Sequence, residues 1–237
     1  MVPTRIDLAG LTVHIVDRIA SRPEAALTCV LLHGFGAAGH DLVACADEID
    51  APVRFVFPAA PLELPGMYGD SRAWWMLDIA RFEEELRTGA ARDHRDEVPD
   101  GLAAAREHVM HLLDELSAKL GVTDDRLVLG GFSQGAMLSL DVALHRPAPP
   151  AGLVLMSGTL IAQAEWQPRL PQLRGVPIAM SHGSADPILP YAVAEVLRDR
   201  LTEAGAVVDF HAFAGGHQIP QAVLDAAGAM MRRLAAG

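Results

Sequence analysis

Residues 126–144 read RLVLGGFSQGAMLSLDVAL, a stretch in which an apolar run, a glycine-rich turn and a run of good helix formers follow one another. The turn is Gly131-Phe132-Ser133-Gln134-Gly135 and has the pattern Gly-x-Ser-x-Gly. The chain has 237 residues and 21 glycines. At this composition about 0.06 accidental matches to the pattern are expected. The match is therefore informative, above all because a predicted strand precedes it and a predicted helix follows it.

Ser133 stands at the centre of this turn. A strand that turns sharply into a helix holds the residue between them in a strained conformation and exposes its side chain beyond the end of the sheet. Side chains at Gly131 and Gly135 would collide with the neighbouring strand and helix, which explains the two glycines. We therefore interpret Ser133 as a nucleophile. The competing interpretation is a strand-to-helix turn that merely contains a serine.

Short apolar runs alternate with longer helix-like stretches along the chain. Strands are predicted at residues 11–16, 26–32, 53–57, 126–129, 152–156, 176–181 and 207–212, and helices at residues 41–49, 100–120, 134–145, 191–204 and 220–234. Continuous apolar runs suit parallel strands buried on both faces, and the alternation is typical of the α/β class. We expect one domain over residues 1–237, with a mostly parallel central sheet and helices on both faces. The longest helix should be capped by Asp100 and end near Gly121.

A serine nucleophile needs a histidine that accepts its proton, and the histidine needs a carboxylate that orients it. Four histidines follow Ser133 in the chain: His145, His182, His211 and His217. His145 lies in the helix that leaves the turn, and His211 lies in a predicted strand. His217 follows two glycines in a loop between the last strand and the last helix, so we predict that it is the base.

Asp186 is the predicted acid. It lies in a loop after the strand at residues 176–181, and open α/β sheets place their sites at the carboxyl ends of strands. Asp209 falls inside a predicted strand and Asp199 on a solvated helix face, which makes both weaker choices. His182 is interpreted as a group that supports the site and not as the base.

Two backbone amides are predicted to stabilise the oxyanion that forms when a serine attacks a carbonyl group. One belongs to Gln134, which opens a helix whose dipole also favours negative charge. The other is assigned to Phe35, because His33-Gly34-Phe35-Gly36 ends an apolar strand and its glycines leave the backbone free to direct an amide. The alternative is a tight turn with no role in the chemistry.

Acidic residues outnumber basic ones, 30 to 19, and the formal net charge is −11. Phosphate backbones and anionic lipid surfaces repel such a chain, so neither nucleic acid binding nor membrane insertion is expected. The first residues lack the apolar stretch of a signal peptide, and no apolar run is long enough to cross a bilayer, which predicts a soluble, cytoplasmic protein. Cys29 and Cys45 lack the spacing of a metal site or redox pair and are expected to be free, buried thiols.

Four segments of the chain share their order and separation with one known family. They are Leu32-His33-Gly34-Phe35-Gly36, Gly131-Phe132-Ser133-Gln134-Gly135, Asp186-Pro187-Ile188-Leu189-Pro190 and Gly216-His217-Gln218-Ile219. Together they resemble the phospholipase/carboxylesterase family, which includes acyl-protein thioesterases. The resemblance implies an α/β-hydrolase fold and a carboxylesterase without cofactor or metal, whose partner is a small-molecule ester or thioester. The alternative is a thioesterase or lysophospholipase, because thioester and lysophospholipid hydrolysis use the same machinery. It also implies a triad of Ser133, Asp186 and His217, with the amides of Phe35 and Gln134 as oxyanion donors.

Residues 59–98 form a stretch that is too long for an ordinary connection, and we predict an insertion that acts as a partial lid over the site. Its Trp74, Trp75, Met76 and Leu77 form a dense apolar cluster. Since exposing such a cluster is costly, it is predicted to line the acyl pocket and to favour short to medium acyl chains. The alternative is that the cluster packs on the sheet as a satellite core.

Two other functions compete with this interpretation. A non-catalytic scaffold of the same fold would bind a ligand without turnover, and loss of a triad member would indicate it, but none is missing. A metal-dependent hydrolase would use His108 and His111, yet no nearby acid or third histidine completes a recognisable site.

Ser139 and Thr159 are not needed by the family pattern and are interpreted as structural. Ala37 replaces an aspartate that is common in the family, which points to an altered pocket shape.

Overall fold

An eight-stranded sheet runs through the molecule, which a computed structural model describes for residues 3–19, 26–65, 69–88 and 93–236. The strands are β1 (Thr4–Leu8), β2 (Leu11–Asp17), β3 (Thr28–Leu32), β4 (Arg54–Pro58), β5 (Leu62–Glu63), β6 (Arg72–Ala73), β7 (Leu127–Phe132), β8 (Gly152–Met156), β9 (Pro177–Gly183) and β10 (Val207–Phe213). The helices are α1 (Cys45–Glu48), α2 (Ile79–Thr88), α3 (Leu102–Leu120), α4 (Gln134–His145), α5 (Gln163–Trp166), α6 (Tyr191–Glu203) and α7 (Gln221–Ala236). Within these residues no helix has the length and apolar character needed to span a bilayer.

The strand order in the sheet is β1-β2-β4-β3-β7-β8-β9-β10. The six strands from β4 to β10 in this order are parallel to one another, and only β1 and β2 are antiparallel to their neighbours. β5 and β6 form a separate antiparallel hairpin. The predicted mostly parallel α/β sheet is confirmed, and the carboxyl ends of β3, β7, β8 and β9 meet along one edge.

Burial on both faces explains why β7 has no polar residue between Leu127 and Leu129. Leu127 and Leu129 pack in the core beneath α3 and α4, whereas Val128 packs in the opposite core with residues of α1 and α7. Successive strand residues point to opposite faces, so both layers of helices need apolar partners from the same strand. This sandwich fixes β7, and with it the turn at Ser133.

Several element boundaries differ from the sequence predictions. Asp100 does not cap α3, because Gly101 occupies the position before the helix with φ 91° and no side-chain hydrogen bond. The predicted helix at residues 41–49 is a 3₁₀ turn over Asp41–Ala44 followed by the short α1. The segment 59–98, predicted as an insertion, contains β5, β6 and α2 among its described residues. β1 escaped prediction because it is a mostly exposed edge strand, joined to β2 by a two-residue turn.

Candidate active site

Ser133 lies where β7 turns into α4 and borders a surface cavity. Its backbone has φ 56° and ψ −118°, which is strained for a residue with a side chain. Its N–H donates to the carbonyl oxygen of Met156, 2.9 Å away, which fixes the turn against β8. A Cβ atom added to Gly131 would lie 2.3 Å from the carbonyl oxygen of Leu32, and a Cβ atom added to Gly135 would lie 2.0 Å from the same oxygen. Only glycine permits this approach of β3 to the turn.

Asp186 and His217 form a hydrogen-bonded pair, with His217 Nδ1 2.7 Å from Asp186 Oδ2. The backbone N–H groups of Ile188 and Leu189 donate to Oδ1 of the same carboxylate at 2.9 and 3.0 Å. Burial disfavours the charged carboxylate, but the His217 bond and these N–H groups outweigh it and hold the pKa of Asp186 below its usual value. Because an ionised carboxylate only accepts hydrogen bonds, Nδ1 of His217 carries a proton and Nε2 is left as the basic atom.

The loops that carry Asp186 and His217 are held together by their backbones. Ala185 N–H donates to the Gly215 carbonyl oxygen at 3.0 Å. At Gly183, the last residue of β9, a Cβ atom would lie 2.4 Å from that same carbonyl oxygen, so glycine lets the two loops touch. The geometry of the pair is therefore built into backbone contacts and does not depend on side-chain packing alone.

The imidazole of His217 lies beside the turn at Ser133. Its ring centroid is 4.7 Å from that of Phe132, the residue directly before Ser133. Ser157 Oγ donates to the Gln218 carbonyl oxygen at 3.1 Å and ties the histidine loop to the end of β8. The structure thus brings the predicted nucleophile, base and acid to one edge of the sheet.

The loop after β3, which holds the other predicted amide, packs against the turn. A Cβ atom at Gly34 would lie 3.3 Å from the Cβ of Ser133. Arg72 of β6 exchanges two backbone hydrogen bonds with this loop, at 2.9 and 3.0 Å. Within the part of the chain that the structure describes, the amides of Phe35 and Gln134 have no protein acceptor. Both are therefore available to a negatively charged oxygen.

His182 lies directly behind the Asp186–His217 pair. Its Nε2 is 2.9 Å from the carbonyl oxygen of Leu189 and 3.4 Å from Asp186 Oδ2. Since a carbonyl oxygen only accepts, Nε2 carries the proton. Burial lowers the pKa of His182 and favours the neutral ring. His182 therefore contacts the Asp186 loop from behind, which agrees with its interpretation as a supporting group and not as the base.

A cavity of about 470 Å³ opens beside Ser133. Phe35 and Gln134 also border it, so it reaches both predicted oxyanion donors. Its apolar lining consists of Phe35, Trp75, Met76, Leu77, Val98, Pro99, Met137, Ile161, Ile188 and Leu189, and its titratable lining of Asp78, Arg81, His94, Glu97 and Asp100. Residues from 75–81 and 94–98 supply much of this wall, so described parts of the segment predicted as a lid border the cavity.

Comparison with known proteins identifies the family. Residues 16–234 match the profile of the family described as Phospholipase/Carboxylesterase. The chain belongs to the phospholipase/carboxylesterase family. It is 31% identical over 210 residues to acyl-protein thioesterase 1 of Neurospora crassa, a match that covers 84% of this chain and 83% of the relative.

Solved structures of esterases share the fold of this family member. The crystal structure of esterase PE8 superposes with a TM-score of 0.77 at 25% identity, over 99% of this chain and 100% of the other. A carboxylesterase from Mesorhizobium loti superposes with a TM-score of 0.73 at 20% identity, over the whole of both chains. The predicted α/β-hydrolase fold and family are confirmed, and the chain is of the carboxylesterase and thioesterase type.

Trp74 does not line the cavity, in contrast to Trp75, Met76 and Leu77. Trp74 and Trp75 are each 2% exposed and belong to the main core. The Trp74 indole is turned away from the cavity, and its Nε1–H donates to the His33 carbonyl oxygen at 3.0 Å. Trp74 therefore packs in the main core, Met76 and Leu77 border the cavity, and Trp75 does both. That these residues bind the acyl chain stays a prediction.

The two hydroxyl side chains that were interpreted as structural differ from each other. Ser139 Oγ donates to the Gly130 carbonyl oxygen at 2.7 Å and braces α4 on β7. Thr159 instead lines the cavity, and its buried Oγ1 has no hydrogen-bond partner among the described residues. The structural interpretation fits the contact that Ser139 makes, and for Thr159 it stays a prediction.

Sequence reasoning missed an ion cluster at the cavity. An Arg81 guanidinium nitrogen lies 2.9 Å from Glu97 Oε1, and His94 Nδ1 lies 3.0 Å from Glu97 Oε2. Burial opposes ionisation, but the His94 and Arg81 hydrogen bonds outweigh it and lower the pKa of Glu97 to about 2. These partners lie on α2 and on the segment before α3, so no periodicity of the sequence pairs them.

Neither a reactive cysteine nor a cluster of metal ligands is found among the described residues. Burial raises the pKa of the Cys29 thiol far above its usual range and that of Cys45 to about 11, so both free thiols are held in the unreactive protonated form. His108 and His111 are exposed on α3. No group of three or more potential metal ligands occurs among the described residues.

Proposed function

We propose that the chain is a serine carboxylesterase that hydrolyses esters of short to medium acyl chains through an acyl-Ser133 intermediate. The observation that carries the proposal is the 2.7 Å hydrogen bond between His217 and the ionised Asp186, beside the strained turn that exposes Ser133. An imidazole held in this tautomer presents Nε2 as a base, which is the arrangement that activates a serine hydroxyl.

Acylation begins when Ser133 Oγ attacks the ester carbonyl carbon and His217 Nε2 takes the hydroxyl proton. The carbonyl oxygen becomes an oxyanion, which the amides of Phe35 and Gln134 stabilise at the start of α4. As the carbon–oxygen bond of the leaving group breaks, the imidazolium returns the proton to the departing alcohol. Asp186 stabilises the positive charge of His217 between these two transfers.

Deacylation repeats these steps with water as the nucleophile. His217 Nε2 takes a proton from the water, the oxygen attacks the acyl carbon, and the same amides hold the second oxyanion. When the intermediate collapses, Ser133 Oγ leaves with the proton from His217, and a carboxylic acid is released. No cofactor or metal is required by any step.

Thioester hydrolysis is the second candidate function, and a specific observation favours it. The 31% identity to acyl-protein thioesterase 1 of Neurospora crassa extends over 84% of this chain. The machinery is the same, since a thiolate replaces the alkoxide as leaving group. The distinction therefore depends on the leaving-group side of the cavity.

An acyl-chain series tests the proposal directly. We expect hydrolysis of p-nitrophenyl acetate, butyrate and octanoate, with palmitate slower. Each methylene that fits into the cavity of about 470 Å³ adds about 0.8 kcal/mol of binding free energy, and this gain is lost once the chain no longer fits. Acyl-CoA thioesters and an S-acylated peptide of the same chain lengths are measured on the same preparation. Preference for the thioesters would select the second candidate, and no hydrolysis of any substrate would indicate a non-catalytic scaffold.

Replacing Trp75 with leucine is expected to move the preferred acyl chain to longer lengths. Trp75 borders the cavity, so the smaller side chain adds room while it keeps the wall apolar. We expect kcat/KM for palmitate to rise roughly tenfold relative to butyrate. Trp166→Leu is the matched control, because Trp166 is equally buried but does not line the cavity. Equal losses at every chain length for Trp75→Leu would show that the acyl chain lies elsewhere.

The cellular setting and the lid are part of the same proposal. The acidic net charge of −11 supports a small-molecule ester or thioester as the partner and not a polyanion. A cytoplasmic location stays a prediction from the sequence. We further propose that the chain is one domain in which the described parts of 59–98 act as a partial lid, supported by the cavity wall that they supply. Residues 66–68 and 89–92 of the predicted lid lie outside the described residues.

A further inference from the structure

Trp74 and Trp75 touch both halves of the proposed oxyanion hole. The Trp74 backbone N–H donates to Gln134 Oε1 at 2.8 Å, and Gln134 Nε2 donates to the Trp75 carbonyl oxygen at 2.9 Å. The Gln134 side chain thus pairs with this segment as a neighbouring strand would. It belongs to the residue whose backbone amide is one proposed oxyanion donor.

The Trp74 side chain reaches the other half. Its indole Nε1–H donates to the His33 carbonyl oxygen at 3.0 Å, two residues before the Phe35 amide. The His33 ring is itself fixed, because the Ala60 N–H donates to Nε2 at 3.0 Å and Nδ1–H donates to the Gly34 carbonyl oxygen at 2.8 Å. Burial lowers the pKa of His33 and keeps this ring neutral. The loop that carries Phe35 is therefore braced from both sides.

We propose that Trp74 and the Gln134 side chain are positioning residues that set the distance between the amides of Phe35 and Gln134. The inference rests on the proposed function, since it concerns the oxyanion of that reaction. Three hydrogen bonds, all between residues that are at most 2% exposed, connect the segment directly after β6, the loop after β3 and the start of α4. Trp74 does not line the cavity, and the Gln134 side chain is bonded to Trp74 and Trp75, so both act through the two amides.

The positioning contacts of Trp74 and the Gln134 side chain, called the clamp below, affect the transition state more than the bound substrate. The oxyanion exists only after attack, and donors that miss its position lose stabilisation that the ground-state carbonyl never had. Because Trp75 also borders the cavity, the clamp joins the acyl wall to the oxyanion donors. Misplacement of the donors should lower kcat while leaving KM nearly unchanged.

The test removes single hydrogen bonds and compares two inhibitors. Trp74→Phe deletes the indole N–H, and Gln134→Met deletes both side-chain bonds without adding a charge. Trp166→Phe is the matched control, since it deletes an equally buried indole N–H that donates to Asp141 Oδ1 at 2.8 Å, away from the hole. An alkyl trifluoromethyl ketone, which forms an oxyanionic adduct with a serine, is compared with the corresponding methyl ketone. The thermal midpoint of each variant is recorded.

We expect Trp74→Phe and Gln134→Met each to lower kcat roughly 10- to 100-fold, with KM changed by less than about twofold. Trifluoromethyl ketone affinity should fall in parallel, while methyl ketone affinity stays constant. The double variant should lose less than the product of the single losses, because both act on the same pair of donors. Trp166→Phe should lower the thermal midpoint and leave kcat and both affinities as in the wild type.

Wild-type kcat and trifluoromethyl ketone affinity in both single variants would overturn the clamp. Losses shared equally by Trp166→Phe would also overturn it, since they would reflect stability alone. Should Trp74→Phe not fold, Gln134→Met still tests the proposal, because it removes the other two of the three hydrogen bonds. Absence of esterase and thioesterase activity in the wild type would instead refute the proposed function, so the two failures are distinguishable.

Discussion

Replacement of Ser133 by alanine is expected to lower kcat at least about 10⁴-fold and to leave the fold unchanged. Removal of a serine nucleophile leaves only the weak catalysis that comes from substrate binding and the oxyanion donors. The fold should persist, because the Ser133 contact that fixes the turn uses its backbone N–H and not its hydroxyl. The measurement is the rate of p-nitrophenyl butyrate hydrolysis, with circular dichroism to check folding.

Ser139→Ala is the matched control for this substitution. Ser139 lies on α4, six residues after Ser133, and donates its hydroxyl to the Gly130 carbonyl oxygen, so its loss should reduce stability and not turnover. A Ser133→Ala protein that keeps a kcat within about tenfold of the wild type would exclude Ser133 as the nucleophile.

Asp186→Asn is expected to lower kcat about 10⁴-fold, and His217→Ala somewhat more. An asparagine at this position can turn its NH₂ group toward Nδ1 of His217. Nδ1 would then accept a hydrogen bond, the ring proton would move to Nε2, and Nε2 would lose its role as the base. Because the pKa of Asp186 lies below its usual value, the wild-type carboxylate stays charged as the pH falls through mild acid, and this variant tests that charge directly.

Asp209→Asn supplies the comparison for the acid. Asp209 lies on β10, where its carboxylate is 3.2 Å from His211 Nε2 and mostly exposed. This pair is a histidine–carboxylate contact without a nearby serine turn, so its loss should leave kcat within about twofold of the wild type. If Asp209→Asn lost activity and Asp186→Asn kept it, the acid would have been assigned to the wrong strand.

Local patterns in the sequence were enough to predict the sheet and the edge at which the site lies. Ser133, Asp186 and His217 each follow an apolar strand run, and parallel strands bring their carboxyl ends together. The order of strands in the sheet and the hydrogen bond between Asp186 and His217 agree with what this rule implies. The roles of these residues in catalysis stay predictions until the variants are measured.

The cavity wall was less predictable, because it depends on contacts between segments far apart in the chain. Four neighbouring apolar residues suggested one pocket wall, yet Trp74 turns toward His33 while Trp75 faces the cavity. The side chain of Gln134 reaches 60 residues back to Trp74. Nothing in the spacing of a Gly-x-Ser-x-Gly motif encodes that contact.

The predicted start of α3 was wrong for a different physical reason. Aspartate is a favoured residue at the N-cap of a helix, but the N-cap of α3 is Gly101, in a left-handed conformation, and not Asp100. A Cβ atom at Gly101 would lie 3.1 Å from the Cβ of Trp75, so the close packing of the cavity wall favours glycine there. Tertiary contact thus overrides the local preference for an acidic cap.

The central claim is that Ser133 is the nucleophile, and mass spectrometry of a fluorophosphonate-treated sample tests it most directly. The account predicts one adduct, located on Ser133 in the wild type, absent from Ser133→Ala and strongly slowed in His217→Ala. An adduct on a different serine, or undiminished ester hydrolysis by a protein that takes up no fluorophosphonate at all, would contradict it.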